Sequence, residues 1–216
     1  MPLTYKSTGG GGDYKSLSAG SHIAVCNMVV DLGIQPGSGM YPEPKRQVLI
    51  RFEAPNERIE YTDRDGKKQE GPVVISKTFT ASMHEKANLR KQLESWRGKK
   101  FTDEEAENFD VSSILGATCM LSVVETVKGD KVYANITSIG ALPKGFPKQT
   151  AENKLVFFSE SDEASNSIED LPEWIQNKIK GQIRSSKPQP DYSDNAANYS
   201  PTTPDPLEIT DEDIPF

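Results

Sequence analysis

The chain has 216 residues, 35% of them hydrophobic, and a formal net charge of −7. That length fits one domain, or a smaller one with tails, and the apolar share is too low for a chain packed from end to end. No apolar run reaches the roughly 18 residues a membrane-spanning helix needs. The N-terminus lacks the basic start and apolar core of a secretory signal, so none is expected. Cys26 and Cys119 lie far apart, with only His22 and His84 to join them. A disulfide scaffold and a structural zinc site are therefore not expected, and both cysteines read as buried thiols.

In chain order, residues 1–18 carry four consecutive glycines, Gly9 to Gly12, and read as a flexible leader. Residues 21–32 form a long β-branched, apolar strand with weak alternation. A Gly/Pro-rich loop containing Tyr41 follows. Over residues 47–53 the alternation is clean. Val48, Ile50 and Phe52 face one way, and Gln47, Leu49, Arg51 and Glu53 the other. Asp65-Gly66 marks a hairpin turn, and residues 73–82 make the third strand.

The texture then changes. Residues 84–97 (HEKANLRKQLESWR) place Ala87, Leu89, Leu93 and Trp96 on one helical face, with Gly98 as the stop and Trp96 as core. Thr102-Asp103-Glu104-Glu105 has the pattern of a capped short helix. Residues 117–126 alternate as a fourth strand, with Ala117, Cys119, Leu121 and Val123 on one side. After the turn at residues 128–131 comes a fifth strand, with Val132, Ala134 and Ile136 opposed to Tyr133, Asn135 and Thr137.

Five strands with a helix between the third and fourth is the order of an OB-fold, a small Greek-key barrel. The expected architecture is mainly β. An OB-fold-like barrel occupies residues 19–160. A helical extension, 161–184, has Pro172 in the first turn of its helix and Trp174, Ile175 and Ile179 on the apolar side. An added strand is expected near residues 154–158. From residue 185 onward Pro, Ser, Asn and Asp dominate, and this segment reads as a disordered acidic tail.

Charge is unevenly placed. Residues 1–154 are +2, residues 155–187 are −2, and residues 188–216 are −7 with no basic residue at all. This pattern is that of a body with an acidic interaction tail. The chain ends Asp211, Glu212, Asp213, Ile214, Pro215, Phe216. Such an end suits docking into an apolar pocket rimmed by cations, with one cation on the α-carboxylate and others on the acidic run.

Those six residues closely resemble the acidic tip of bacterial single-stranded DNA-binding proteins. Residues 84–145, with LRKQLESWRGKKF and GDKVYANITSIGALPKG, are similar to a phage-encoded family described as single-stranded DNA-binding proteins. The resemblance implies an OB-fold body that holds the single strand and a tip that recruits replication, recombination or repair proteins. It implies a bacterial cytoplasmic setting. A homo-oligomer is compatible with it, and no membrane partner is expected.

Single-strand binders combine a basic groove with aromatic platforms, and OB-folds use strands 2–3 and the loops joining strands 1–2 and 4–5. The matching candidates are Tyr41, Lys45, Arg46 and Arg51, then Lys77 and Phe79, then Lys128, Lys131 and Tyr133. Core packing is the alternative for Phe52 and Phe79. The basic helix end, Arg90, Lys91, Arg97, Lys99 and Lys100, reads as a phosphate grip or as a solvated face favouring the helix C-terminus. No cofactor and no catalysis are expected. Residues 9–16 lack the glycine a phosphate loop requires, and Asp63-x-Asp65-Gly66 is too short for a calcium loop. The alternative function is an OB-fold adaptor that docks on host replication proteins through the tail without binding DNA.

Overall fold

The computed structural model describes residues 16–37, 39, 42–62, 66–128, 131–162 and 165–184, with Lys128 and Lys131 described by their backbone. Tyr41, the turn residues 63–65, nearly all of the leader and the whole acidic tail with its tip lie outside the described residues.

The fold is mainly β. Strands β1 (Gly20–Gln35), β2 (Lys45–Thr62), β3 (Lys68–Thr80), β4 (Thr118–Lys128) and β5 (Lys131–Gly140) form one antiparallel sheet in the order β3-β2-β1-β4-β5. The sheet curls into a half-barrel. A short strand, β6 (Val156–Phe158), adds parallel to β1. Between β3 and β4 lie helices α1 (Asn88–Arg97) and α2 (Asp103–Glu107), and after β6 comes α3 (Glu173–Lys180).

The weak alternation of β1 has a physical cause. β1 pairs with β4 only as far as Val25 and with β6 only from Met28, while β2 follows its other edge. The register shifts between Cys26 and Met28, leaving Asn27 as the extra residue. One inserted residue reverses which side chains face which way. Ala24 and Cys26, then Val29, enter the main core, whereas Met28, Val30 and Leu32 enter a second one. A strand buried on both faces shows no simple period.

The main core fills the concave side with Val48, Ile50 and Phe52 of β2, Leu121 and Val123 of β4, and Leu89, Leu93 and Trp96 of α1. Trp96 packs its ring 5.7 Å from Phe52 and donates its Nε1–H to the Thr118 carbonyl at 2.9 Å. Gly98 takes the left-handed conformation that ends α1 (φ 70°), and Thr102 with Glu105 closes the capping box of α2. The second core lies on the opposite face, where Leu171, Ile175 and Ile179 cover Met28, Leu32 and Leu49. Residues 167–180 do not form one continuous helix. A short 3-10 turn at Ile168–Asp170 precedes α3, and Trp174 points away from the apolar side, 47% exposed, beneath Lys178. Trp174 and Ile175 are sequence neighbours, and adjacent helical positions diverge by about 100°, so only Ile175 reaches the core.

Glu53 is fully buried on this second face. Its carboxylate accepts from Asn27 Nδ2 at 3.0 Å, Asn153 N at 3.2 Å, Asn153 Nδ2 at 2.6 Å and the Glu152 amide. Arg51 Nε donates to the other end of Asn27 at 3.1 Å. A buried carboxylate is tolerated only when hydrogen bonds replace its lost water, and here they tie the strap after β5 to the β1 bulge. Replacing Glu53 by Ala strands these donors. A loss of about 3–5 kcal/mol in urea unfolding is expected, against about 1–3 kcal/mol for Glu53→Gln.

Cys26 and Cys119 are free and buried, and burial pushes the Cys26 thiol up to about 12 and raises Cys119 likewise. The thiolate is the reactive form. A thiol-specific reagent at neutral pH is therefore expected to label neither cysteine in the native protein and both after unfolding.

Candidate nucleic-acid interface

β3 and β5 stand at the two ends of the sheet order. Lys77 bridges them: its Nζ donates to the Ile136 carbonyl at 2.7 Å. Directly opposite residues on neighbouring strands share a face, and Lys77 pairs with the core residue Ile50. Its stem therefore runs along the concave side, with the ammonium at the rim and 5.4 Å from the centre of the Phe79 ring. Burial lowers its pKa.

Beside this bridge is a cleft of about 720 Å³ between β3, the turn before α1, and β5. Lys77, Thr78, His84, Lys86, Asn88 and Thr137 are among its lining residues, and none of the described lining residues is acidic. The turn is self-braced. The His84 amide donates to Ser82 Oγ at 3.3 Å, and His84 Nδ1 accepts from the Lys86 amide at 3.2 Å, placing the ring proton on Nε2. α1 begins at the cleft with Ala87 as its cap, no side-chain capping bond and no acidic residue in its first turn.

The sequence candidates divide between faces. Lys77 and Phe79 meet at the cleft, but Phe79 is only 4% exposed and belongs to the core, so its ring offers no platform to a base. Arg51 is on the opposite face of the sheet, half-buried between Leu49 and Glu53 and bonded to Asn27. It does not join Lys77. Arg46 is held by Asp31, whose hydrogen bonds raise its pKa further. Lys45 is exposed at the start of β2. Lys128 and Lys131 are paired positions closing the β4–β5 hairpin.

Tyr133 is 46% exposed on that hairpin. Tyr133, Asn135 and Thr137 are all exposed along β5. Four residues of β5, roughly 14 Å at about 3.4 Å per residue, separate Tyr133 from Thr137, the extra residue of the β4–β5 register shift, at the cleft.

Two features escaped the sequence reading. Tyr61 is 50% exposed near the end of the β2–β3 hairpin, and its ring lies over Gly71, 3.1 Å from where a side-chain carbon would stand. Only strand register brings Gly71 under Tyr61. Lys86 and His84 became cleft residues through the turn between β3 and α1, which no periodicity announces. The β4–β5 hairpin also exposes Val124, Val127 and Val132, with Val127 directly opposite Val132.

The basic helix end is largely structural. Arg90 is buried and donates to the carbonyls of Met83 at 3.2 Å and Phe101 at 2.8 Å and to Glu94 at 3.1 Å. Arg97 stacks on Phe101 at 4.3 Å and grips both oxygens of Glu105, at 2.9 and 3.2 Å. Lys99 lies 3.6 Å from the same carboxylate. Ion pairing thus occupies cations across the body, with Arg46 on Asp31, Arg58 on Glu70 and Glu152, and Lys154 on Asp170.

No protein-family model matches the chain, and no curated protein matches it either.

The Arg97 hydrogen bonds, followed by the Thr102 amide, hold the Glu105 carboxyl down to about 2. A depressed carboxyl contributes stability above its unfolded value, about 4.3, and loses it as pH falls through the folded value. The melting-temperature gap between the wild type and Glu105→Gln should therefore be constant above about pH 5 and close toward about pH 2.

Proposed function

We propose that this chain binds single-stranded DNA without base readout, through an OB-type body, and that its C-terminal tip recruits replication, recombination or repair proteins. The observation that carries the reading is the strand path. The order β3-β2-β1-β4-β5, with α1 between β3 and β4 in sequence and packed in the core, supports reading the half-barrel as an OB-type body with its open side between β3 and β5.

Charge placement supports it. The body is close to neutral, and counterion release needs clustered cations. Yet the cleft gathers Lys77, His84 and Lys86 without a carboxylate among its described lining residues. The exposed aromatics Tyr61 and Tyr133 supply stacking faces of the sequence-tolerant kind. α3 covers the outer face around β1 and Leu49, so the strand is directed to β3, β5 and the hairpins instead. The tip resemblance at Asp211 to Phe216 supplies the docking half of the proposal, and no catalytic step is assigned to the chain.

The test is fluorescence anisotropy of a labelled oligo-dT of about 30 nucleotides, against duplex of equal length, at two salt concentrations. Salt-sensitive binding to the single strand alone is expected. Tyr133→Ala should weaken it by about 1–3 kcal/mol, the range for one stacked base. Absence of binding by both the full chain and a form lacking residues 211–216 would sink the DNA reading and leave the adaptor.

A further inference from the structure

We propose that the cleft between β3, α1 and β5 grips the phosphate backbone of the bound strand, with Lys86 as one contact and Lys77 as a second that leaves the Ile136 carbonyl to reach it. This rests on the single-strand reading and specifies which atoms meet the phosphates.

The cleft is large enough for such a ligand, since about 720 Å³ falls within the 300–1,000 Å³ typical of ligand sites. Its chemistry selects an anion. The lining includes two ammonium groups, an imidazole whose Nε2 carries the proton, hydroxyls from Thr78 and Thr137, and the carboxamide of Asn88. A cationic ligand has no counter-charge there among the described residues. A base is excluded on other grounds. Among the described lining residues the only aromatic ring of the benzene type is Phe79, which is buried, and stacking requires an open face. Bases therefore belong with Tyr133, at the far end of the β5 row, and the backbone with the cleft.

Lys77 is the more informative cation. In the free protein its ammonium bonds a neutral carbonyl across the seam, at 2.7 Å. The bond to the carbonyl is already charge-assisted through its donor, and a phosphate oxygen adds the attraction of an opposite charge. The half-buried setting strengthens the attraction further, because less water screens it. Exchange of the carbonyl for a phosphate swings the lysine end away from the Ile136 carbonyl, which stands on β5, the last strand of the sheet order. Lys86 needs no exchange: it is exposed and forms no ion pair among the described residues.

The experiment uses the full chain and labelled oligo-dT over a salt series, comparing the wild type with Lys86→Ala, Lys77→Met and Lys91→Ala. Lys91 is exposed on α1 outside the cleft lining and serves as the control. Each lost phosphate contact lowers the log–log salt slope by about 0.7 for a single strand. Raising salt from about 50 to about 200 mM should then cost Lys86→Ala and Lys77→Met about 2.6-fold less affinity than it costs the wild type. Lys91→Ala should keep the wild-type slope. An unchanged slope for Lys86→Ala, or an equal drop for Lys91→Ala, overturns the proposal; because Lys86 is exposed, that arm does not depend on whether Lys77→Met, which removes the bridge to the Ile136 carbonyl, disturbs the packing of β3 against β5.

A parallel titration with inorganic tripolyphosphate, read by backbone amide NMR over residues 77–88 and 137, separates the two levels of the argument. Shifts confined to those amides, abolished by Lys86→Ala, uphold the phosphate site even where oligo-dT fails to bind, and in that case only the single-strand reading falls. No response of those amides to either probe removes the cleft from consideration.

Discussion

The structure depends on one strand being buried from both sides. β1 is paired along both edges, and the bulge at Asn27 sends its side chains into two cores in turn. The bulge sits where β1 exchanges β4 for β6, and there Glu53 gathers donors from Asn27, Glu152 and Asn153. A carboxylate without water costs several kcal/mol unless its hydrogen bonds are complete. Among the described residues no buried side-chain nitrogen or oxygen lacks a partner. The polar cluster therefore does for geometry what packing cannot: it fixes where the chain crosses from the barrel side to the covered side.

This constraint shapes the surface available to a ligand. Because α3 covers one face of β1 and Leu49 of β2, joined in that core by Val156 and Phe158 of the edge-paired β6, the open side of the half-barrel is the seam, with β3 and β5 as its lips. α1 has three tasks at that place. Leu89, Leu93 and Trp96 fill the barrel end, Gln92 accepts the Ile139 amide at 2.7 Å, and its first residues line the cleft. The proposed phosphate grip is thus a by-product of how the barrel is plugged, with polar groups at the rim and apolar groups beneath.

Much of the element order was legible in the chain. β2 alternates cleanly because one side, Val48, Ile50 and Phe52, packs inward, and the capping pattern at Thr102 to Glu105 states its own geometry. Strand lengths were less legible. β2 and β3 run on to Thr62 and from Lys68, through exposed residues such as Glu60 and Glu70 that carry no apolar period. Of the site, Lys77 and Tyr133 could be chosen by residue type and position, but Arg51 was chosen on the same grounds and lies on the other face, tied to Asn27. The alternation placed Arg51 correctly on the side of Leu49 and Glu53, but it does not show that this side is covered as well, with Leu49 and Glu53 both buried.

The sequence by itself determined local matters: which segments form strands and helices and in what order, that the two cysteines are buried, and that acidic charge gathers toward the C-terminus, since each is written in residue type, spacing or composition over a few neighbours. Only the tertiary structure decided that Arg90 and Arg97 brace the body, that Tyr61 lies over Gly71, and that Lys86 and His84 join Lys77 around a cleft without carboxylates. The reason is that pairing register and the docking of α1 and α3 set which distant residues meet, and a one-residue bulge at Asn27 suffices to reverse the answer for the β1 positions up to the next register shift, between Asp31 and Gly33.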